Sequence, residues 1–169
     1  MYEANRRNID IEGAQIKFRN FSGRESKFNR AGDRNFCLVI SDPALLDRMQ
    51  HEGYNIKQLG PNLDDRGNPI DDPVYYIQVK VRFDNFPPKV VLVTRRNQVR
   101  LNESTIDQLD YVEIAHIDMT ISPYNWEMNG RTGTSAYLKT MYITIEEDAF
   151  EEKYAEYEHP MDDDELPFN

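Results

Sequence analysis

The sequence has 169 residues, of which 39% are hydrophobic and 30% charged, with a formal charge of -10; that suffices for one domain with a real core and an appendage. Cys37 is the single cysteine, which excludes an intrachain disulfide and the usual zinc-ribbon or Cys-X-X-Cys chemistry, and histidines 51, 116 and 159 lack metal-ligand spacing. No apolar run approaches the ~20 residues of a spanning helix, and "MYEANRRNIDIEG" has no signal-peptide character, so the expectation is a cytoplasmic protein without metal or cofactor.

The negative charge is not spread evenly. From Met1 to Ile145 there are 19 Lys+Arg and 19 Asp+Glu, while Glu146 to Asn169 holds Lys153 against 11 acids. All the excess therefore sits in the last 24 residues. The division expected is a neutral domain over 1–145 and an acidic, disordered tail over 146–169.

Taken in chain order, Ile9 to Phe21 alternate, with Ala14, Ile16 and Phe18 on one face and Gln15, Lys17, Arg19 and Phe21 on the other, which predicts a strand with one wet, basic face. "SGRESKFNRAGDR" reads as a long mobile loop and "NFCLVIS" as a short buried strand. In "DPALLDRMQHEG", Asp42 is placed to cap a helix, Pro43 to open it and Gly53 to stop it. "GPNLDDRGNPIDDP" is a second loop, followed by the clearest strand, "VYYIQVKVRF": Tyr75, Ile77, Val79, Val81 and Phe83 alternate with Tyr76, Gln78, Lys80 and Arg82. "FPP" turns the chain into "KVVLVTRR", whose continuous apolar run predicts burial on both faces. A short helix starting at Asn102 or Ser104 comes next, and then two strands joined through "NGRTG". The pattern is mainly β, with one or two short helices and long loops, and fits a small barrel like the oligonucleotide-binding (OB) fold.

The solvent-side positions of two strands are basic and aromatic rather than merely polar: Lys17, Arg19 and Phe21 on the first, Tyr76, Lys80 and Arg82 on the second. Loops add Arg24, Lys27, Phe28, Arg30 and Arg34 on one side and Tyr124, Trp126, Arg131 and Tyr137 on the other. Phosphates need cations and bases stack on rings, so this interleaving suits a single-stranded nucleic acid. Each element also has a plainer use: lysines and arginines protect an exposed edge strand from aggregation, and the phenylalanines can pack in a core.

The chain closes on "MDDDELPFN". Asp162, Asp163 and Asp164 with Leu166, Pro167 and Phe168 resemble the acidic tip of bacterial single-stranded DNA-binding proteins, which recruits replication and repair partners. Here Asn169 follows Phe168 and Glu165-Leu166 replaces Ile, so a phage-encoded partner fits better than a host one. Over most of the body, "GAQIKFRNFSG", "RNFCLVI" and "SPYNWEMNGRTGTSAYLKTMY" resemble the OB-fold single-stranded DNA-binding proteins of bacteriophages. The resemblance implies a non-enzymatic protein in a bacterial host's cytoplasm. It would coat single-stranded DNA without sequence preference and hold a helicase, polymerase or recombinase through its tail. Homo-oligomerisation stays open.

Two other classes match parts of the sequence. Asp71 and Asp72 ahead of Gln78-Val79-Lys80 faintly resemble a metal-dependent nuclease, but Gln is a poor ligand for a hard divalent cation. An adaptor or DNA mimic would suit the pI of about 4.8, although mimicry calls for negative charge over a folded surface and here it is confined to a tail.

Overall fold

The computed structural model describes residues 7–147. Nearly all of the acidic segment read over 146–169, including its tip, lies outside the described residues. In chain order the described elements are β1 (Ile9–Glu12), β2 (Ile16–Asn20), β3 (Arg34–Ile40), α1 (Pro43–His51), β4 (Lys57–Leu59), β5 (Val74–Val81), β6 (Lys89–Val93), β7 (Gln98–Leu101), a 3-10 turn (Ile106–Asp110), β8 (Ile114–Met128) and β9 (Arg131–Ile145). The fold is mainly β, as the alternation predicts.

One sheet runs in the order β1-β8-β9-β5-β3-β2, with β4 added to β5 and the β6–β7 hairpin added to β9. Two parallel joins connect the halves of this arrangement: β5 lies beside β9 at Val79↔Ala136 and Lys80↔Tyr137, and β6 lies beside its later half from Lys89↔Thr140 to Val93↔Thr144. β9 thus serves two neighbours along one edge. Beneath the sheet, Phe36, Leu38, Ile77, Val79, Val90, Ile117, Ile121, Met141 and Ile143 form a core with almost no exposed surface. Burying a side chain of this size contributes roughly 1.5–3 kcal/mol.

Several expectations hold in detail. Asp42 Oδ1 accepts from the Ala44 amide at 3.0 Å to cap α1, and Gly53 follows the helix at φ +86°. Val90, Val91 and Leu92 are buried on both faces of β6. Among the described residues, no helix is long and apolar enough to cross a membrane.

Others need correction. The single strand read over Ile9 to Phe21 is two, broken where Gly13 takes φ +63°; β1 joins β8 and β2 joins β3. β4 and β7 carry only three and four residues, too few for a period to register. The β8–β9 turn is the Asn129-Gly130 pair alone, with φ of +52° and +77°, so "RTG" belongs to β9. The loop read as mobile is stitched: Gly32 N donates to Gly23 O at 2.8 Å, and the Asn29 amide reaches the carbonyls of Arg24, Arg30 and Asp33.

The largest correction concerns β2. Its pairing with β3 slips between Lys17 and Asn20, which inserts a bulge and reverses the faces of the residues that follow. Phe18, at φ +53°, stands 60% exposed instead of facing the core, and Phe21 is fully buried, stacked on Phe36 with centroids 5.4 Å apart. Arg19 turns inward to donate to the carbonyls of Leu109 and Val112 at 2.9 and 2.8 Å. The 3-10 turn completes this anchor, because Asp110 accepts from the amides of Phe21 and Ser22 and from the Ser22 hydroxyl.

Candidate nucleic-acid interface

Side chains on paired positions of adjacent strands share a face, so the register defines what lies together on the outside of the sheet. One row crosses four strands: Asn35 of β3 opposite Lys80 of β5, Lys80 beside Tyr137 of β9, and Tyr137 opposite Ser122 of β8. A second joins Lys17, Cys37 and Gln78, and a third Val39, Tyr76 and Lys57. These rows turn the outer face into an alternation of cations and rings. Lys80 Nζ lies 5.8 Å from the Tyr137 ring centroid, and Tyr124 meets Tyr137 edge-on at 5.9 Å. Tyr76 meets the displaced Phe18 edge-on at 6.0 Å.

Among the described residues, three clefts open on this face and share residues pairwise. The first, about 470 Å³, runs under the β8–β9 hairpin between Trp126, Met128, Tyr137, Lys80 and Lys57. The second, about 760 Å³, lies between the stitched loop and the end of β5, with Phe28, Arg30, Arg34, Lys80 and Arg82 in its walls. The third, about 990 Å³, passes from Arg82, Tyr124 and Tyr137 to the β5–β6 loop, where Phe86 and Pro87 stand. Lys80 belongs to the first two, Arg82 to the last two, and Tyr124 and Tyr137 to the first and third. A branched, continuous trough results, with Lys80, Arg82 and the tyrosine pair at its junction.

Trp126 is held over the backbone at Gly133, where a Cβ would lie 2.7 Å from the indole Cε2. The absent side chain is what lets the indole lie flat against β9. Arg82 chelates Asp84, with Nε to Oδ1 at 3.3 Å and Nη2 to Oδ2 at 3.0 Å, and Tyr137 together with Asp84 raises its pKa above the usual guanidinium value. Arg34 bonds Glu103 Oε2 at 3.2 Å and lies over the Phe83 ring at 5.7 Å. Cys37 is half-buried on the outer face; burial pushes its thiol pKa up, with Lys57 opposing.

The residues anticipated from sequence are distributed unevenly. Lys17, Tyr76, Lys80, Arg82, Tyr124, Trp126 and Tyr137 share the outer face, and Phe28, 90% exposed beneath Lys27, lines the second cleft with Arg30 and Arg34. Arg131 is exposed beside the hairpin tip, opposite Met128. Arg24 points to the Arg19 carbonyl and lies 3.9 Å from Asp110, away from the trough residues. Phe21 is in the core and Arg19 is spent on backbone carbonyls, so neither offers a contact surface. The tip residues Asp162, Asp163, Asp164, Leu166, Pro167 and Phe168 lie outside the described residues. Sequence reasoning missed Phe18, Lys57 and Phe86. Nothing local announces the bulge that exposes Phe18, but Phe86, set between Asn85 and Pro87-Pro88, occupies a turn with no inner face to hide in and is 92% exposed.

Of the two carboxylates ahead of Gln78-Val79-Lys80, Asp71 has a different use: it accepts from the Asn62 amide and side chain, both at 2.7 Å. No group of three or more His, Cys, Asp or Glu able to hold a metal occurs among the described residues.

A sequence profile for a phage single-stranded DNA-binding domain matches residues 2–167. No curated protein matches the chain. Among solved structures, the single-stranded DNA-binding protein from bacteriophage Enc34 in complex with ssDNA aligns with a TM-score of 0.52 at 10% identity, covering 85% of this chain and 89% of that one. A C-terminal truncation of the Enc34 protein gives 0.50 at 11% identity, covering 83% and 87%. At such identities the likeness establishes a shared fold.

Proposed function

The chain belongs to the family of phage single-stranded DNA-binding domains, and on that premise we propose that it coats single-stranded DNA without sequence preference, using the trough on the outer face of its sheet. The observation that carries this reading is the junction at which Lys80, Arg82, Tyr124 and Tyr137 meet three clefts. Lys17, Lys57, Lys80, Arg30 and Arg82 supply charge for phosphates, and Phe18, Tyr76, Tyr124, Trp126, Tyr137, Phe28 and Phe86 supply faces for bases. Each stacked base contributes ~1–3 kcal/mol, and every base has a π-face, so sequence preference is weak. Phosphate neutralisation makes the affinity fall with salt. The chemistry is binding alone.

The division between a binding domain over 1–145 and an acidic tail over 146–169 belongs to the same proposal, supported by the end of β9 at Ile145 and by the charge imbalance beyond it. In this reading the tail competes for the basic trough when DNA is absent. When DNA displaces it, the Asp162 to Phe168 tip becomes available to replication or recombination proteins. A duplex is a poor ligand, because its bases are stacked on one another and out of reach of the rings.

The test is a titration of the protein with oligo-dT and, separately, with a duplex, following strand anisotropy and Trp126 fluorescence at low and high salt. Tight binding of the single strand alone, weakened by salt and accompanied by indole quenching, is the expected result. Equal affinity for both ligands, or none for either, would refute the reading.

A further inference from the structure

A trough built for a polyanion should not be lined with carboxylates, yet Asp33, Asp84 and Glu103 all face the second cleft. Two of the three are not free. Asp84 forks with both oxygens onto the Nε–Nη2 edge of Arg82, and Glu103 holds Arg34 through one carboxylate oxygen and its backbone carbonyl. A carboxylate forked onto arginine has the planar, two-oxygen geometry that a phosphate offers to the same group.

We propose that Asp84 and Glu103 are phosphate surrogates: each occupies a trough arginine in the free protein and must be displaced by the DNA backbone, so together they set the affinity and its salt dependence. The proposal rests on the single-strand reading above and deepens it. Exposure makes the exchange feasible. Arg82 and Asp84 side chains are 59% and 60% exposed, so that pair is solvated and cheap to open, whereas Arg34 is 20% exposed under a Glu103 that is 64% exposed. Arg82 is the better placed of the two arginines, because it borders both the second and third clefts and would be released where they join. Arg34 is partly retained by Phe83, so Glu103 should have the smaller effect.

The surrogates would also favour single strands over other polyanions. A ligand that offers phosphates alone gains little by exchanging one anion for another on arginine, whereas one that also stacks on Tyr124 and Tyr137 drives the exchange. The carboxylates then withhold binding from ligands without accessible bases.

Asp84→Asn keeps shape and removes the surrogate charge, while Asp33→Asn removes a charge from the same cleft without releasing an arginine ion pair. Oligo-dT and duplex titrations of the full chain at low salt, with thermal melts to confirm folding, compare the two variants with the unaltered protein. Opening an exposed ion pair of ~0.2–1 kcal/mol corresponds to a factor of about 1.4–5, and loss of repulsion from the backbone adds to it. The expectation is a gain of about three-fold or more for Asp84→Asn, a smaller gain for Asp33→Asn, and a proportionally larger gain for duplex than for oligo-dT. In an Arg82→Ala background, Asp84→Asn should give no more than the smaller gain expected of Asp33→Asn. Equal gains for the two Asn variants, or a loss for Asp84→Asn, would overturn the proposal, the latter by making Asp84 a group that orients Arg82 for binding. Failure of the unaltered protein to bind oligo-dT would overturn both readings, whereas normal binding with an unresponsive Asp84→Asn would overturn this one alone.

Discussion

Phe18 and Phe21 stand three positions apart, and the bulge in β2 assigns them opposite tasks, so the same substitution should fail in opposite ways. Phe21→Ala removes a ring with no exposed surface that stacks on Phe36 at 5.4 Å. Truncation at such a site costs ~3–5 kcal/mol, a large share of the ~5–15 kcal/mol by which domains are stable. With a urea dependence of roughly 2 kcal/mol per molar, the unfolding midpoint should fall by about 2 M. Phe18→Ala removes a ring that is 60% exposed and meets Tyr76 edge-on at 6.0 Å. Stability should change by no more than about 1 kcal/mol, while single-strand affinity drops by the loss of one stacking platform, ~1–3 kcal/mol or about 5- to 150-fold. The assays are urea unfolding by circular dichroism and anisotropy titration of oligo-dT, run on both variants. Early unfolding of Phe18→Ala, or a normal midpoint for Phe21→Ala, would show that the bulge does not place these rings as described. A stable Phe18→Ala that binds normally would remove Phe18 from the trough.

Other consequences follow from the same geometry. Gly133→Ala should push the Trp126 indole off β9, lowering stability by about 1–3 kcal/mol and shifting the indole emission to the red; an unchanged spectrum and midpoint would contradict the contact. Lys80→Ala should weaken single-strand binding and make the slope of log K against log salt shallower by about 0.7, the share of one phosphate contact; an unchanged slope would mean that Lys80 meets no phosphate. Asp118 accepts from the Gly13 amide at 3.1 Å and lies 2.8 Å from His116 Nε2, and these partners, the amide foremost, hold its carboxyl pKa below the ordinary value. A depressed folded-state pKa means that the Gly13 tie is complete above about pH 3.9, the unfolded carboxylate value, and is lost as the pH falls through the lower folded value. The Gly13 amide shift in an NMR titration should therefore have its midpoint below about 3.9, and a midpoint at or above that value would refute the link.

How much of this was legible beforehand can be traced residue by residue. The period of two in Tyr75 to Phe83, the Asp42-Pro43 start and Gly53 stop of α1, and the apolar run of β6 are local signals, and local signals suffice wherever one segment's own geometry decides the outcome. The charge imbalance between 1–145 and 146–169 is likewise a property of composition. So is the interleaving of cations and rings, and these features by themselves determined that the chain is mainly β with a face suited to a stacked, charged ligand. Tertiary structure alone decided which side chains form that face. Strict alternation put Phe18 inside and Arg19 and Phe21 outside, and a one-residue slip against β3 reversed them, because a strand's two faces exchange with every shift of register. The trough's junction depends on parallel contacts of β9 with β5, which join residues 57 positions apart in Lys80 and Tyr137. Pairings of that kind arise only when the whole sheet assembles, and no window of sequence contains them.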